Sequence, residues 1–591
     1  MFHASGSFKH GIIAAATLLA AVISFPSKPS ALAERLDYAP PNAPARPQLA
    51  VLLVVDQMRA DYVEKFRGQW AGGLKRLVQE GAWFREAAYP YAATETCVGH
   101  ATISTGTFPA IHGMVMNEWW DRDSQKEVAC TQDPKAKNIG YANATVKGGN
   151  SAANMLIPAF SDELKFQSGS GTRIVTFSLK ARAAITLAGR LGDAVTWYDP
   201  STGAWVTSSA YPFAPFVENY VKAHPVSLDY GKTWTPLLPG SSYLYNPTAF
   251  KAVPPEGFGA AFPHTLHGKP NSTAADSLFY GQWEVSPYAD TYLAKMADDA
   301  VDRLDLGKRG GTDFLGISFS SVDYVGHAFG PRSWEIQDIL ARLDRDLGDL
   351  FAHLDEKVGR GNYIVVLTAD HGVAPIPEDM LNAGLDAGWT MTEELKSSIS
   401  KTLETLDYPK TALASVVGSN IYFAPGIYER LKSDPKAIGA VTDAIKKVRG
   451  VDRVYQAEQL GSDTVMQNAD QTEEANSFFK TRSGDLLVVF KPYWPSDDSA
   501  LGEPRSEGTT HGTLYYYDRH VPVLFMGFGI QPGEYFDAIT PADIAPTLAS
   551  LCGVTLASPD GHPLTALLVR SEPTHSATKS ITAKTAKSPD R

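Results

Sequence analysis

Seven side chains with the chemistry of a metal-dependent catalytic site lie near the ends of apolar runs in this chain. Six are carboxylates or imidazoles, which zinc prefers as ligands, with manganese or iron as less favoured alternatives. The seventh is a threonine hydroxyl, a possible nucleophile. The set comprises Asp56, Thr96, Asp323, His327, Asp370, His371 and His511. An isolated aspartate in such a place would be read as a helix cap or turn, but the joint placement predicts a site for two metal ions.

Buried strands alternating with amphipathic helices would position these groups. The run Leu49–Val55 ends directly at Asp56 and is typical of a fully buried parallel strand. Similar runs occur at Thr172–Phe177, Asp313–Phe319, Tyr363–Thr368 and Val521–Met526. Helical spacing of apolar residues predicts helices over Ser333–Leu354 and Pro541–Leu551. The alternation indicates an α/β fold, with a mostly parallel central sheet and helices on both faces.

In such sheets, ligands bind beyond the C-terminal ends of the strands. Asp56, Asp323 and the Asp370-His371 pair each follow a predicted strand, so parallel strands would bring them to one edge. His327 lies four residues after Asp323, which lets one helical turn direct both side chains at a single ion. His511 precedes the last predicted strand and could approach from an insertion above the sheet.

Thr96 lies where an extended segment, Tyr89 onward, is predicted to become a helix. A hydroxyl in that position is an ordinary helix cap. The helix dipole and a nearby metal ion would also favour its alkoxide, which would make Thr96 a good nucleophile. Thr94 is the competing candidate.

Lys180 and Arg182 follow the predicted strand Thr172–Phe177, with one residue between them. Two cations at a strand exit can both reach a compact dianion such as the phosphate of a monoester. The alternative is a solvated helix start.

The chain ends and two internal regions depart from this pattern. Residues 1–33 are typical of a secretory signal peptide, with a basic start, an apolar stretch and an Ala-Leu-Ala cleavage site, although a membrane anchor is the alternative. Residues 48–565 form the expected catalytic domain, with cap-building insertions at about 195–285 and 375–510. Residues 569–591 have the composition of a disordered tail. We expect a periplasmic or secreted monomer without a membrane segment after cleavage.

Net charge limits the possible binding partners, and the cysteine content limits the possible disulfides. Cleavage after Ala33 removes Lys9 and Lys28 and no acidic residue, moving the formal net charge from −12 to −14. An acidic surface argues against nucleic acid as the main partner. Of three cysteines, Cys97 and Cys130 are the favoured disulfide pair, and three free buried thiols are the alternative.

The motifs together resemble the alkaline phosphatase superfamily, on its branch of nucleotide pyrophosphatases and phosphodiesterases. The resemblance covers about residues 48–555 and is carried by short motifs in the same order as in that branch. They are Thr96-x-x-x-His100, Thr105-Gly106, His112-Gly113, Asp323-x-x-x-His327, Asp370-His371-Gly372 and His511-Gly512. The Lys180-x-Arg182 spacing resembles that of secreted bacterial alkaline phosphatases with a threonine nucleophile.

This resemblance implies two zinc ions and a role for each motif residue. One ion would be held by Asp56, Asp370, His371 and Thr96, and the other by Asp323, His327 and His511. Asn117 would bind a phosphoryl oxygen, and Lys180 with Arg182 would select phosphate monoesters. His100 and His112 would orient the loop rather than bind metal.

The implied function is an exported zinc-dependent alkaline phosphatase. It would hydrolyse small phosphate monoesters through a phosphothreonine intermediate and release inorganic phosphate. A phosphodiesterase or nucleotide pyrophosphatase on the same scaffold is the alternative. A sulfatase is disfavoured because Cys97 is followed by Val98 and Gly99 instead of the required Cys-x-Pro-x-Arg pattern. A non-catalytic binding protein is disfavoured because every ligand and the nucleophile are present.

Overall fold

A computed structural model describes residues 46–169, 171–461 and 464–569 of the 591-residue chain. The predicted signal peptide, residues 1–33, and residues 570–591 of the predicted tail lie outside this range. Within the described residues, the helices are too short or too polar to cross a bilayer.

The strands of the described residues form one ten-stranded sheet and four smaller sheets. In chain order they are Leu49–Val55 (β1), Ala82–Ala87 (β2), Glu118–Asp121 (β3), Lys126–Ala129 (β4), Asn138–Gly140 (β5), Ile174–Ser178 (β6), Ala194–Asp199 (β7), Ala204–Ser208 (β8), Thr233–Trp234 (β9), His264–Thr265 (β10), Asp313–Phe319 (β11), Tyr363–Thr368 (β12), Thr390–Met391 (β13), Leu413–Val417 (β14), Asn420–Phe423 (β15), Val451–Gln456 (β16), Leu486–Phe490 (β17), Ser496–Asp497 (β18), Val523–Gly527 (β19) and Gly533–Ile539 (β20).

The α-helices of the same residues alternate with these strands. They are Asp61–Lys65 (α1), Gly73–Glu80 (α2), Thr96–Thr105 (α3), Pro109–His112 (α4), Phe160–Ser168 (α5), Ala181–Ala188 (α6), Pro215–Ala223 (α7), Ser277–Glu284 (α8), Pro287–Leu304 (α9), Ser321–Phe329 (α10), Trp334–Leu354 (α11), Pro377–Asn382 (α12), Thr392–Thr405 (α13), Ile427–Ser433 (α14), Pro435–Lys446 (α15), Ala469–Ser477 (α16), Tyr516–Arg519 (α17) and Ile544–Cys552 (α18).

The large sheet is mixed, with a parallel centre, which confirms the predicted fold class. Its strand order is β20-β2-β19-β12-β1-β11-β6-β7-β8-β5. The five central strands from β12 to β7 are mutually parallel. β19 lies antiparallel to both of its neighbours. The sheet also extends into the first predicted insertion, because β7 and β8 lie within residues 194–208.

Both faces of the sheet are covered, as the uninterrupted apolar sequence of β1 requires. Leu49, Val51, Leu53 and Val55 pack into one buried cluster with apolar residues of α9 and α11. The alternate residues Ala50, Leu52 and Val54 pack into a second cluster with residues of α5 and α18. Because successive side chains of a strand point to opposite faces, β1 belongs to both cores.

The second predicted insertion contains its own antiparallel sheet, with strand order β14-β15-β17-β16. Helices α13 and α15 pack their apolar residues against it. The predicted strand-like piece Ala414–Phe423 is two strands, since the chain reverses at Gly418, where φ is 52°. Glycine adopts this left-handed conformation without steric cost.

Candidate active site

The C-terminal ends of three parallel strands bring the predicted acidic residues to one edge of the sheet. Asp56 directly follows β1, and its backbone N–H donates to Phe319 O at the end of β11 (3.0 Å). Asp370 and His371 follow β12, which pairs with β1 along its length. Asp323 lies in the first turn of α10, immediately beyond β11.

Two groups of potential metal ligands result. The ligand atoms of Asp56, Asp370 and His371 all lie within 4.8 Å of one another, and we call these residues the first cluster. The ligand atoms of Asp323, His371 and His511 meet the same distance. His327 joins this group, since its Nε2 lies 3.2 Å from Asp323 Oδ1. We call Asp323, His327 and His511 the second cluster, with His371 lying between the two clusters.

The chemistry of the first cluster fits a cation. Asp56 Oδ1, Asp370 Oδ2 and His371 Nε2 are buried and have no hydrogen-bond partner among the described residues. Unsatisfied buried acceptors are costly unless a ligand completes them. Carboxylate and imidazole donors are those that zinc binds.

Burial and neighbouring charges shift the pKa values of several of these imidazoles and carboxylates. Burial lowers the pKa of both His371 and His511, which keeps these imidazoles neutral with a free lone pair. Burial alone would raise the pKa of Asp323, but Lys180 and the neighbouring histidines hold it well below its ordinary value. Burial and the charge of Asp370 raise the pKa of Asp56, as expected where carboxylates converge.

Thr96 is the first residue of α3 and is buried. Its Oγ1 lies 3.5 Å from both Lys180 Nζ and Arg182 Nη2. The same helix packs closely on the first cluster: a Cβ added at Gly99 would lie 2.1 Å from Asp370 O. In contrast, the hydroxyl of the alternative nucleophile Thr94 donates to Thr513 O (2.8 Å).

Lys180 contacts proposed metal ligands as well as the Thr96 hydroxyl. Its Nζ is 2.7 Å from Asp56 Oδ2 and 2.5 Å from Asp323 Oδ2, so it contacts a carboxylate of each cluster. Because the charges of Asp323 and Asp56 outweigh burial, the pKa of Lys180 is raised and the group stays cationic. Asn117 lies beside the start of α3, where its Oδ1 accepts from Cys97 N (2.9 Å).

Comparison with known proteins identifies the family of this chain. The family model of type I phosphodiesterase/nucleotide pyrophosphatase matches residues 50–514, well over half of the 591-residue chain. The chain belongs to this family.

Its similar relatives include two bacterial proteins described as alkaline phosphatases. PhoV of Synechococcus elongatus is 31% identical over 521 residues, covering 86% of this chain and 91% of the relative. PafA of Elizabethkingia meningoseptica is 32% identical over 540 residues, covering 90% and 96%. The crystal structure of wild-type alkaline phosphatase PafA superposes with a TM-score of 0.81 and covers 89% of this chain and all of that one. The alkaline-phosphatase-like fold is therefore confirmed.

The structure of this family member also reveals site residues that sequence reasoning missed. Gln57 donates from Nε2 to Asp323 Oδ1 (2.6 Å). Glu95, just before α3, accepts from Asn117 N at Oε2 (2.6 Å), and burial raises its pKa to about 7. Glu507 Oε2 lies 3.1 Å from His327 Nδ1. None of the three follows a recognisable spacing pattern, although the position of Gln57 directly after Asp56 was a usable signal.

The remaining predicted residues support the loop around α3. His100 lies 2.9 Å from Thr96 O through Nδ1 and 2.9 Å from Ser318 Oγ through Nε2, so it ties α3 to β11. His112 Nε2 lies 3.0 Å from Thr102 Oγ1. Cys97 and Cys130 form a disulfide, and Cys552 is buried and free.

Proposed function

We propose that this family member is an alkaline phosphatase that uses Thr96 as nucleophile, binds two zinc ions and acts after export to the periplasm or the medium. The observation that carries the proposal is the approach of Lys180 and Arg182 to the Thr96 hydroxyl beside the metal-ligand clusters. It is supported by full-length relatives described as alkaline phosphatases at 31–32% identity. Alkaline phosphatases such as these relatives are phosphoric monoester hydrolases.

Charge explains why monoesters suit this site. A phosphate monoester carries one more charged, unesterified oxygen than a diester, and that oxygen needs cationic donors. Lys180 supplies a compact ammonium and Arg182 a planar fork of donors. We assign both to the nonbridging oxygens of the substrate, together with the amide of Asn117.

The steps of the reaction are assigned to the following residues. Thr96 Oγ1 would lose its proton to water and form the bond to phosphorus as the bond to the leaving oxygen breaks, giving a phosphothreonine and an alcohol whose oxygen takes up a proton from water. Water would then cleave the phosphothreonine and release inorganic phosphate. Divalent ions held by Asp56, Asp370, His371 and Thr96, and by Asp323, His327 and His511, would supply Lewis-acid stabilisation of the attacking and leaving oxygens. The N-terminus of α3 adds its dipole at Thr96.

Phosphodiester cleavage is the second candidate, and one observation favours it. A cleft of about 550 Å³ lies beside Lys180 and Arg182 and is lined in part by Trp197 and Tyr198. Such aromatic walls could accept the second ester substituent of a diester. The pair Lys180 and Arg182 therefore favours monoesters, whereas this cleft favours diesters.

A substrate comparison with zinc-loaded protein tests the proposal. Wild-type protein should cleave an aryl phosphate far faster than a bis-aryl phosphate, and leave an aryl sulfate almost untouched. Thr96→Ala should lose at least about 1,000-fold in kcat/KM while retaining zinc. Thr94→Ala is the matched control and should stay within a few-fold of wild type. Normal turnover by Thr96→Ala would rule out the nucleophile.

The double change Lys180→Ala with Arg182→Ala separates the two candidates. It should reduce monoester cleavage by about 100-fold or more, since each lost charge-assisted contact stabilises the transition state by about 1.5–3 kcal/mol. Diester cleavage should change much less. Equal losses on both substrates would remove the basis for monoester selection.

A further inference from the structure

Gln57 contacts carboxylates of both clusters. Its backbone N–H donates to Asp370 Oδ1 in the first cluster (3.1 Å). Its side-chain Nε2 donates to Asp323 Oδ1 in the second cluster (2.6 Å). The two contacts use different parts of the residue: the first needs only the backbone, and the second needs the carboxamide.

Gln57 has an unfavourable backbone conformation and a side-chain oxygen without a hydrogen-bond partner among the described residues. Its φ is 66°, in the left-handed region that non-glycine residues rarely adopt. The side chain is buried, and its Oε1 has no hydrogen-bond partner among the described residues. Strained, incompletely satisfied residues persist where they serve a site.

The neighbouring helix leaves space for this amide. Gly326 lies in α10 between Asp323 and His327, and a Cβ added there would lie 1.8 Å from Gln57 Oε1. Any larger residue at position 326 would therefore displace the carboxamide from the helix that carries two ligands of the second cluster.

We propose that Gln57 is a positioning residue: its backbone N–H is held on Asp370 of the first cluster, and its side chain orients Asp323 of the second cluster for metal binding. The contacted oxygen, Asp323 Oδ1, is also the one that faces His327 Nε2 (3.2 Å) and His511 Nε2 (3.8 Å). Outer hydrogen bonds of this kind hold a ligand in its binding orientation. The inference rests on the proposed metal-dependent function.

The split between backbone and side chain predicts an asymmetric effect. Replacing the side chain of Gln57 leaves its N–H on Asp370, so the first cluster should keep its metal affinity. Asp323 loses a restraint, so the second cluster should bind metal more weakly. A residue with only a general role in folding would affect both clusters alike.

The test is zinc titration of the full chain, stripped of metal, against a chromophoric chelator. Gln57→Ala and Gln57→Met should each weaken one of two zinc affinities by about 10–100-fold and leave the other within about 3-fold. The variant Asp323→Asn identifies which affinity belongs to the second cluster. Gln125→Ala is the matched control, because Gln125 also has a positive φ (53°) but lies in the exposed turn between β3 and β4.

Gly326→Ala gives an independent route to the same displacement and guards against misfolding of the Gln57 variants. It should weaken the same zinc affinity, and excess zinc should restore turnover. Equal weakening of both affinities, or no weakening, would overturn the inference. If the asymmetry is found in a protein that cleaves no phosphate ester, the positioning role stands and the proposed function fails.

Discussion

The two clusters of ligands are built in different ways. The first cluster comes from the ends of adjacent parallel strands, with Asp56 after β1 and Asp370 and His371 after β12. The second comes from separate elements: Asp323 and His327 lie on α10, whereas His511 lies in the loop between β18 and α17. The backbone pairing of β1 with β12 therefore fixes the geometry of the first cluster, whereas individual side-chain contacts fix that of the second.

Those contacts follow one pattern for the histidines. His327 Nδ1 lies 2.9 Å from Thr509 O, and His511 Nδ1 lies 2.7 Å from Thr94 O. A carbonyl can only accept, so each Nδ1 carries a proton. Nε2 is then the nitrogen of each ring that can bind a metal in the neutral form. The loop before α17 and the segment before α3 thus fix the tautomers of the second cluster.

Breaking the first cluster should have the largest effect on catalysis. Asp370→Asn removes a charged ligand but can still accept the bonds from Gln57 N and His371 N that now reach Asp370 Oδ1 (both 3.1 Å). We expect kcat/KM to fall by at least about 1,000-fold, because metal stabilisation of the reacting oxygens is lost at the nucleophile. Metal analysis should show loss of about one ion per chain, with the fold preserved by circular dichroism.

The matched control for this change is Asp313→Asn. Asp313 is also a buried aspartate, but it lies at the opposite end of the neighbouring strand β11 and accepts bonds from Arg173 N and Gly307 N. Its replacement should leave metal content unchanged. Comparable losses of metal in both variants would mean that burial of charge, rather than cluster membership, governs the effect.

A smaller effect should follow from the outer contact of the second cluster. Glu507→Gln removes a carboxylate 3.1 Å from His327 Nδ1, while Thr509 O remains in place. Since the Glu507 side chain is 42% exposed, solvent screens its charge. Zinc affinity of the second cluster should fall by less than about 10-fold, measured by chelator competition. Glu503→Gln, in the same exposed loop, should have no effect, and a loss as large as that of Asp323→Asn would contradict the screening argument.

The same difference explains which parts of the site could be predicted from the sequence. Asp56 and the Asp370-His371 pair follow long apolar strands, and strand ends meet at one edge of a parallel sheet, so their convergence followed from pattern alone. The position of His511 does not follow from such a pattern, because this residue lies in the loop before α17 and not at the end of a strand. Its inclusion rested on the family motif rather than on any periodicity.

The sheet β14-β15-β17-β16 and the contacts within the site could not be predicted in full from the sequence. β17 pairs with both β15 and β16, which joins segments far apart in the chain, and the sequence carries no register signal for these pairings. Gln57 and Glu507 belong to no motif; Gln57 is adjacent to Asp56 in the sequence, but only the distances to ligands show which atoms these two residues contact. Long-range pairing and side-chain direction are properties of the assembled fold.

The smallest effect on turnover should come from replacing Glu474, which lies beside the loop that carries His511. Glu474 of α16 is buried and lines a small cavity with Gly512 and Thr513. Burial, and then the charges of Glu473 and Asp470, raise its pKa to about 8 from an ordinary 4.5.

The sign of the pH dependence follows from proton binding. Between pH 4.5 and about 8 the unfolded chain has released the proton that the native chain still holds, so the free energy of unfolding falls as pH rises. The slope is at most about 1.4 kcal/mol per pH unit. Glu474→Gln removes this dependence, so its gain in Tm over wild type should grow from pH 5 to pH 8 and then level off. Glu503→Gln should show no such trend, and a gain in Tm that stays constant from pH 5 to pH 8 would show that Glu474 is already ionised in the native protein.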